Sequence, residues 1–78
     1  MLLYFYDLKA KDLRLYNNIK RRFYYELSTS KLTQAFFRTK SVLVVPDELE
    51  TYADNFFKKY SEYLEVYKAR TRLILQIN

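Results

Sequence analysis

Asp7 stands apart among the acids of this chain, because it directly follows an apolar run and sits beside Tyr4 and Tyr6. A lone carboxylate holds Mg²⁺ weakly, since that ion keeps several waters and wants further oxygen ligands. Two copies related by a dimer axis would let a pair of Asp7 carboxylates share one ion. The plainer reading, which residue physics favours, is that Asp7 caps a turn or the first helix. The second pattern is Lys68, Arg70 and Arg72, cations at alternate positions. In a strand they leave from one face, and a face so charged cannot form a dry core. These side chains must meet solvent, an acidic partner surface or phosphate.

Other chemistries lack parts. Ser28, Thr29, Ser30 and Ser41 have no His to activate them, and the chain has no Cys. Gly is absent too, which removes glycine-rich phosphate loops. Without Cys there is neither a disulfide framework nor a thiolate metal site. The 14 basic and nine acidic side chains leave +5, spread unevenly: residues 1–45 hold nine cations and three anions, residues 46–78 five and six. Such an imbalance suits an anionic partner, with DNA or RNA the first candidate.

At 78 residues there is room for one domain, and burial is marginal at that size. Aromatic residues make up 19% of the chain, and each buries ~150–250 Å². Small size and abundant Tyr and Phe point to a homodimer. The missing Cys and the Lys, Arg, Glu and Tyr content resemble heat-adapted composition. No apolar run approaches a membrane span, so no membrane partner is expected and a soluble, cytoplasmic protein is the natural reading.

The elements that must position these residues follow from periodicity. Leu2 to Tyr6 reads as a central strand. From Lys11 to Leu27 the spacing is helical, with Leu13, Tyr16, Ile19, Phe23, Tyr24 and Leu27 on one side. Arg14, Asn18, Arg21, Arg22 and Tyr25 gather with Lys11 on the other. Thr33–Phe37 and Ser41–Val45 read as a hairpin that Pro46 stops. Asp47 and Glu50 form a D-x-x-E capping box for a helix over Glu48–Tyr60, whose first-turn acids and terminal lysines match the helix dipole. Leu64–Ile77 alternates as a last strand, with Val66, Lys68, Arg70, Arg72, Ile74 and Gln76 on one face.

The order strand–helix–strand–strand–helix–strand implies an α+β, ferredoxin-like βαββαβ sandwich, an antiparallel sheet with two helices on one face. Tyr4 and Tyr6 would then share the open face with Lys68, Arg70 and Arg72, so that bases stack while phosphates pair. Such stacking is worth ~1–3 kcal/mol per base.

The strand ending Tyr6-Asp7, the helix with Lys20, Arg21 and Arg22, and Lys40-Ser41-Val42 before a helix at Asp47 together resemble the small CRISPR-associated adaptation protein that partners the spacer integrase. The resemblance implies a ferredoxin-like homodimer with Asp7 as a metal-dependent nuclease residue. The chain departs from that pattern in carrying Lys9, Ala10 and Lys11 where arginines cluster in the family, and in lacking the glycine-bearing turn after the second strand.

The leading expectation is therefore a basic, homodimeric nucleic-acid-binding protein without catalysis or cofactor. Its contacts would be Arg14, Arg21, Arg22, Lys68, Arg70 and Arg72, with Tyr4 and Tyr6. The alternatives are a Mg²⁺-dependent endonuclease built on Asp7 and a structural module whose cationic strand meets an acidic protein.

Overall fold

Alternation in the first segment becomes strand β1, Leu2–Leu8, in the computed structural model: Leu2, Tyr4 and Tyr6 are buried while Phe5 and Asp7 are exposed. The structure describes residues 1–35 and 37–78. Helix α1 spans Leu13–Thr29 and starts where the Asp12 carboxylate accepts the Arg14 backbone N–H at 2.7 Å. That bond satisfies one of the orphan donors of the first turn. Ile19, Phe23 and Leu27, four residues apart, are its buried stripe. Leu13, expected on that stripe, is instead exposed at the entry to the helix.

The helix ends at Ser30, whose hydroxyl donates back to the Leu27 carbonyl and accepts from the Leu32 N–H. This double role starts a 3₁₀ turn over Lys31–Gln34 that buries Leu32. The strand expected over Thr33–Phe37 is corrected accordingly. Phe37–Arg38 pairs, as β2, Thr33 and Gln34 belong to the turn, and Phe36 lies outside the described residues. β2 forms an antiparallel hairpin with β3, Val42–Val45, whose turn Thr39 ties by accepting the Val42 N–H on its side chain at 3.0 Å.

After Pro46 a 3₁₀ turn over Asp47–Leu49 leads into α2, Glu50–Lys58. The capping box expected at Asp47 is not formed, because the Asp47 and Glu50 carboxylates reach cations on the last strand instead. That strand, β4, spans Leu64–Arg70 rather than Leu64–Ile77. Its pairing with β1 runs to Arg70 opposite Leu2, and two further bonds between Met1 and Thr71, one in each direction at 2.9 Å, follow it. Arg72 therefore lies beyond the strand, without the alternation that was to align it with Lys68 and Arg70.

The sheet has the order β2-β3-β1-β4, antiparallel throughout. With two helices on one face it is α+β and ferredoxin-like, as the element order implies. The covered face presents Leu2, Tyr4, Tyr6, Leu43, Val45 and Leu64 to Phe23, Leu27, Phe56 and Phe57 of the helices. Phe23 is the hub, with the rings of Tyr6, Tyr24, Phe56, Phe57 and Tyr60 all around it at 5.2–6.1 Å between centroids. Each such ring contributes ~1.5–3 kcal/mol on burial, which is how so short a chain closes a core.

Candidate nucleic-acid interface

Register decides the fate of the expected sheet-face site. Tyr4 pairs with Lys68 and Tyr6 with Val66 across β1 and β4, so these side chains share one face. It is the face the helices cover. Tyr4 stacks on Phe57 at 5.0 Å, and its hydroxyl donates to Asp54 Oδ1 at 2.7 Å. Burial, aided by that neighbouring carboxylate, pushes the Tyr4 phenol upward. Neither Tyr4 nor Tyr6 is available to a base, which corrects the stacking expectation.

Lys68 and Arg70 leave the sheet at its edge and meet the flank of α2. Lys68 Nζ lies 2.8 Å from both Glu50 Oε2 and Asp54 Oδ2. Arg70 reaches Glu50 Oε1 at 2.6 Å and Asp47 Oδ1 at 3.2 Å. The lysine and arginine hydrogen bonds hold the Glu50 carboxyl below its ordinary range. At Asp54 burial works upward, yet the bonds from Lys68 and Tyr4 outweigh it and the net shift is downward. The acidic surface expected on another protein is thus the chain's own second helix. The joint cationic strip of Lys68, Arg70 and Arg72 does not exist in this arrangement.

Asp7 is exposed on the open face, directly opposite Glu65 in the β1–β4 ladder. Lys9 Nζ stands between them, 3.2 Å from Glu65 and 3.9 Å from Asp7. Tyr67 donates its phenol to Glu65 at 2.6 Å and, with Lys9, draws that carboxyl below its ordinary range. Glu65 is a neighbour that spacing could not reveal, because only the strand register brings it to Asp7. A magnesium ion here would have to displace Lys9 and find further oxygen ligands. Among the described residues no three or more acids gather in metal-holding geometry.

The first helix carries unpaired cations on its outer crest. At 100° per residue, Arg14, Asn18, Arg21 and Tyr25 lie on the crest opposite Phe23, and all four are exposed. Arg14 and Arg21 are two turns, about 10 Å, apart along the axis. Among the described residues neither has an ion pair, nor does Lys11 at the foot of the same crest. Arg22 sits to one side and is held by Glu26 at 3.1 Å. The expected helix residues therefore divide: Arg14 and Arg21 point outward unpaired, and Arg22 belongs to an ion pair. Tyr25, read in the sequence only as part of the polar side, stands 68% exposed beside Arg21.

Glu26 anchors the packing behind this crest. Lys59 bonds it at 2.8 Å from α2's end, Tyr60 lies buried beside it, and Arg22 covers its outer side. Together they lower its carboxyl from 4.5 to about 2. A carboxylate depressed in the folded chain stabilises fully above its unfolded value and loses that contribution as pH falls toward the folded one. Glu50, Asp54 and Glu65 shift in the same direction. The melting temperature is therefore expected to stay level above pH 4.5 and to fall between there and about pH 2. Glu26→Gln is expected to lower it near neutrality and flatten that fall. Melting curves across the acid range measure both.

No family model, curated protein or solved structure matches this chain. No helix among the described residues is long and apolar enough to cross a membrane.

Proposed function

We propose that this protein binds the sugar-phosphate backbone of DNA or RNA along the outer crest of α1, without sequence readout and without catalysis of its own. The carrying observation is the sorting of charge. Lys68, Arg70, Lys9, Arg22 and Lys59 are matched to acids of the same chain; among the described cations without an ion pair, which also include Lys20, Lys31, Lys40, Lys58 and Arg72, Arg14 and Arg21 share one exposed helix crest with Lys11 just before it. Guanidinium forks suit phosphate oxygens better than ammonium groups do. Asn18 adds a neutral donor, and Tyr25 adds an exposed ring on which an unpaired base stacks.

Fluorescence anisotropy with labelled single- and double-stranded DNA and RNA tests this reading. Binding is expected at low salt, with log affinity falling by about 0.9 per log unit of salt for each phosphate contacted on duplex DNA. Absence of binding to every one of these ligands at low salt removes the proposal.

A homodimer is the second element of the reading, favoured by the open sheet face and the segment after β4. Phe5 and Tyr67 stand exposed on that face, and Leu73, Leu75 and Ile77 stand exposed beyond it. Val44, on the same face, is buried where Met1 and residues 74–78 gather around it. A second copy brings both an apolar sheet face and the apolar segment after β4, so one copy's segment can cover the other's face, as a two-fold interface requires. Light scattering is expected to give twice the chain mass for the natural sequence and the chain mass for Leu75→Asp/Ile77→Asp. A natural chain that is monomeric at micromolar concentration contradicts the dimer.

A further inference from the structure

We infer that Lys68 and Arg70 form a second phosphate-binding site that α2 keeps masked, its Glu50 and Asp54 carboxylates standing where phosphate oxygens would bind. The inference rests on the nucleic-acid reading above and adds regulation to it. Glu50 spans both cations, with Oε2 on Lys68 and Oε1 on Arg70, and Asp54 takes the remaining side of Lys68. Carboxylates at 2.6–2.8 Å from an ammonium and a guanidinium use the same donors that a phosphate would use.

The mask is weak enough to open. The side chains of Lys68 and Arg70 are 39% and 55% exposed, and ion pairs at such sites contribute little net stability. Asp47, the other acid on Arg70, is itself more than half exposed. The core below does not depend on the mask, because Tyr4 keeps an acceptor when Asp54 becomes Asn. A polyanion that approaches this edge exchanges one set of anions for another, so occupancy is set by competition between α2 and phosphate. The net effect is a protein that engages nucleic acid through α1 first and through β4 only when the carboxylates are displaced or neutralised.

The test compares two doubly substituted full-length chains of equal net charge. Glu50→Gln/Asp54→Asn uncovers Lys68 and Arg70, while Glu48→Gln/Glu62→Gln removes two exposed acids that have no ion pair among the described residues. Anisotropy with a labelled DNA duplex is read across salt. Two new contacts steepen the log–log slope by about 1.8, so the unmasked chain is expected to lose about tenfold more affinity than the natural one between about 50 and 200 mM salt. The control variant is expected to keep the natural slope. Equal slopes in the two variants overturn the inference, as does a natural chain that loses as much from Lys68→Gln/Arg70→Gln as from Arg14→Gln/Arg21→Gln. If the natural chain binds no duplex but the unmasked one does, the mask stands and the α1 reading fails. If neither binds, both fail. Should the unmasked chain prove unfolded by its melting curve, Glu50→Gln alone is measured instead, with an expected slope change of about one half to one contact.

Discussion

Arg14→Gln/Arg21→Gln is expected to weaken duplex binding about two-hundredfold at about 50 mM salt, on a slope of about 0.9 per contact and an electrostatic contribution that vanishes near about 1 M. The expectation follows from the position of these two side chains. Both are exposed on the helix crest opposite Phe23, and among the described residues neither is neutralised by a carboxylate. Lys68→Gln/Arg70→Gln changes net charge by the same amount, yet is expected to shift affinity by less than about threefold, under about half of one contact on the same slope. Net charge alone would make the two variants alike. Their difference reads out where the free cations are, and the fold is retained in both because no substituted side chain lies in the core.

Phe23→Ala is expected to cost about 3–5 kcal/mol, the range for removing a fully buried ring. Domains hold about 0.05–0.15 kcal/mol per residue, so a chain of this length keeps about 4–12 kcal/mol in all. The substitution then removes about a quarter or more of the stability. The cause is specific: Phe23 is wholly buried and touches rings from β1, from α2 and from Tyr60 just after it, so its loss opens a void between all three. Tyr25→Ala, two residues along the same helix but on the outer crest, is expected to stay within about 0.5 kcal/mol of the natural chain. Urea unfolding of the two variants checks the contrast, and a loss below about 1 kcal/mol for Phe23→Ala contradicts the hub assignment.

The fold was largely legible because its signals are local. Ile19, Phe23 and Leu27 recur at helical spacing, Tyr4 and Tyr6 alternate with exposed Phe5, and Pro46 ends a strand because it has no N–H. Errors arose where a tertiary partner decides. Alternation continues past Arg70 in the sequence, but the strand ends at Arg70 opposite Leu2, with the Met1–Thr71 bonds just beyond it. Thr33 and Gln34 read as the start of a strand, whereas they close a 3₁₀ turn that the Ser30 side chain starts around buried Leu32.

The site was only half legible, for a related reason. Period-two alternation tells which residues share a face, not which face the helices cover, so Tyr4 and Tyr6 were placed in solvent and proved buried. Lys68 and Arg70 do stay out of the dry core, but at a sheet edge where acids of the chain's own second helix, rather than of a partner, reach them. Asp47 and Glu50 were assigned to helix ends because the dipole is visible in sequence, whereas a partner 20 residues away is not. Arg14 and Arg21 were correctly found on the polar side of α1, since helical spacing alone fixes that.

Mapping a short DNA duplex onto the isotope-labelled full chain by amide chemical-shift perturbation tests the central claim most directly. The account predicts shifts concentrated at Arg14, Asn18, Arg21 and Tyr25 that fade as salt rises. Shifts confined to the open sheet face around Phe5 and Tyr67, with the α1 crest unmoved, would contradict it.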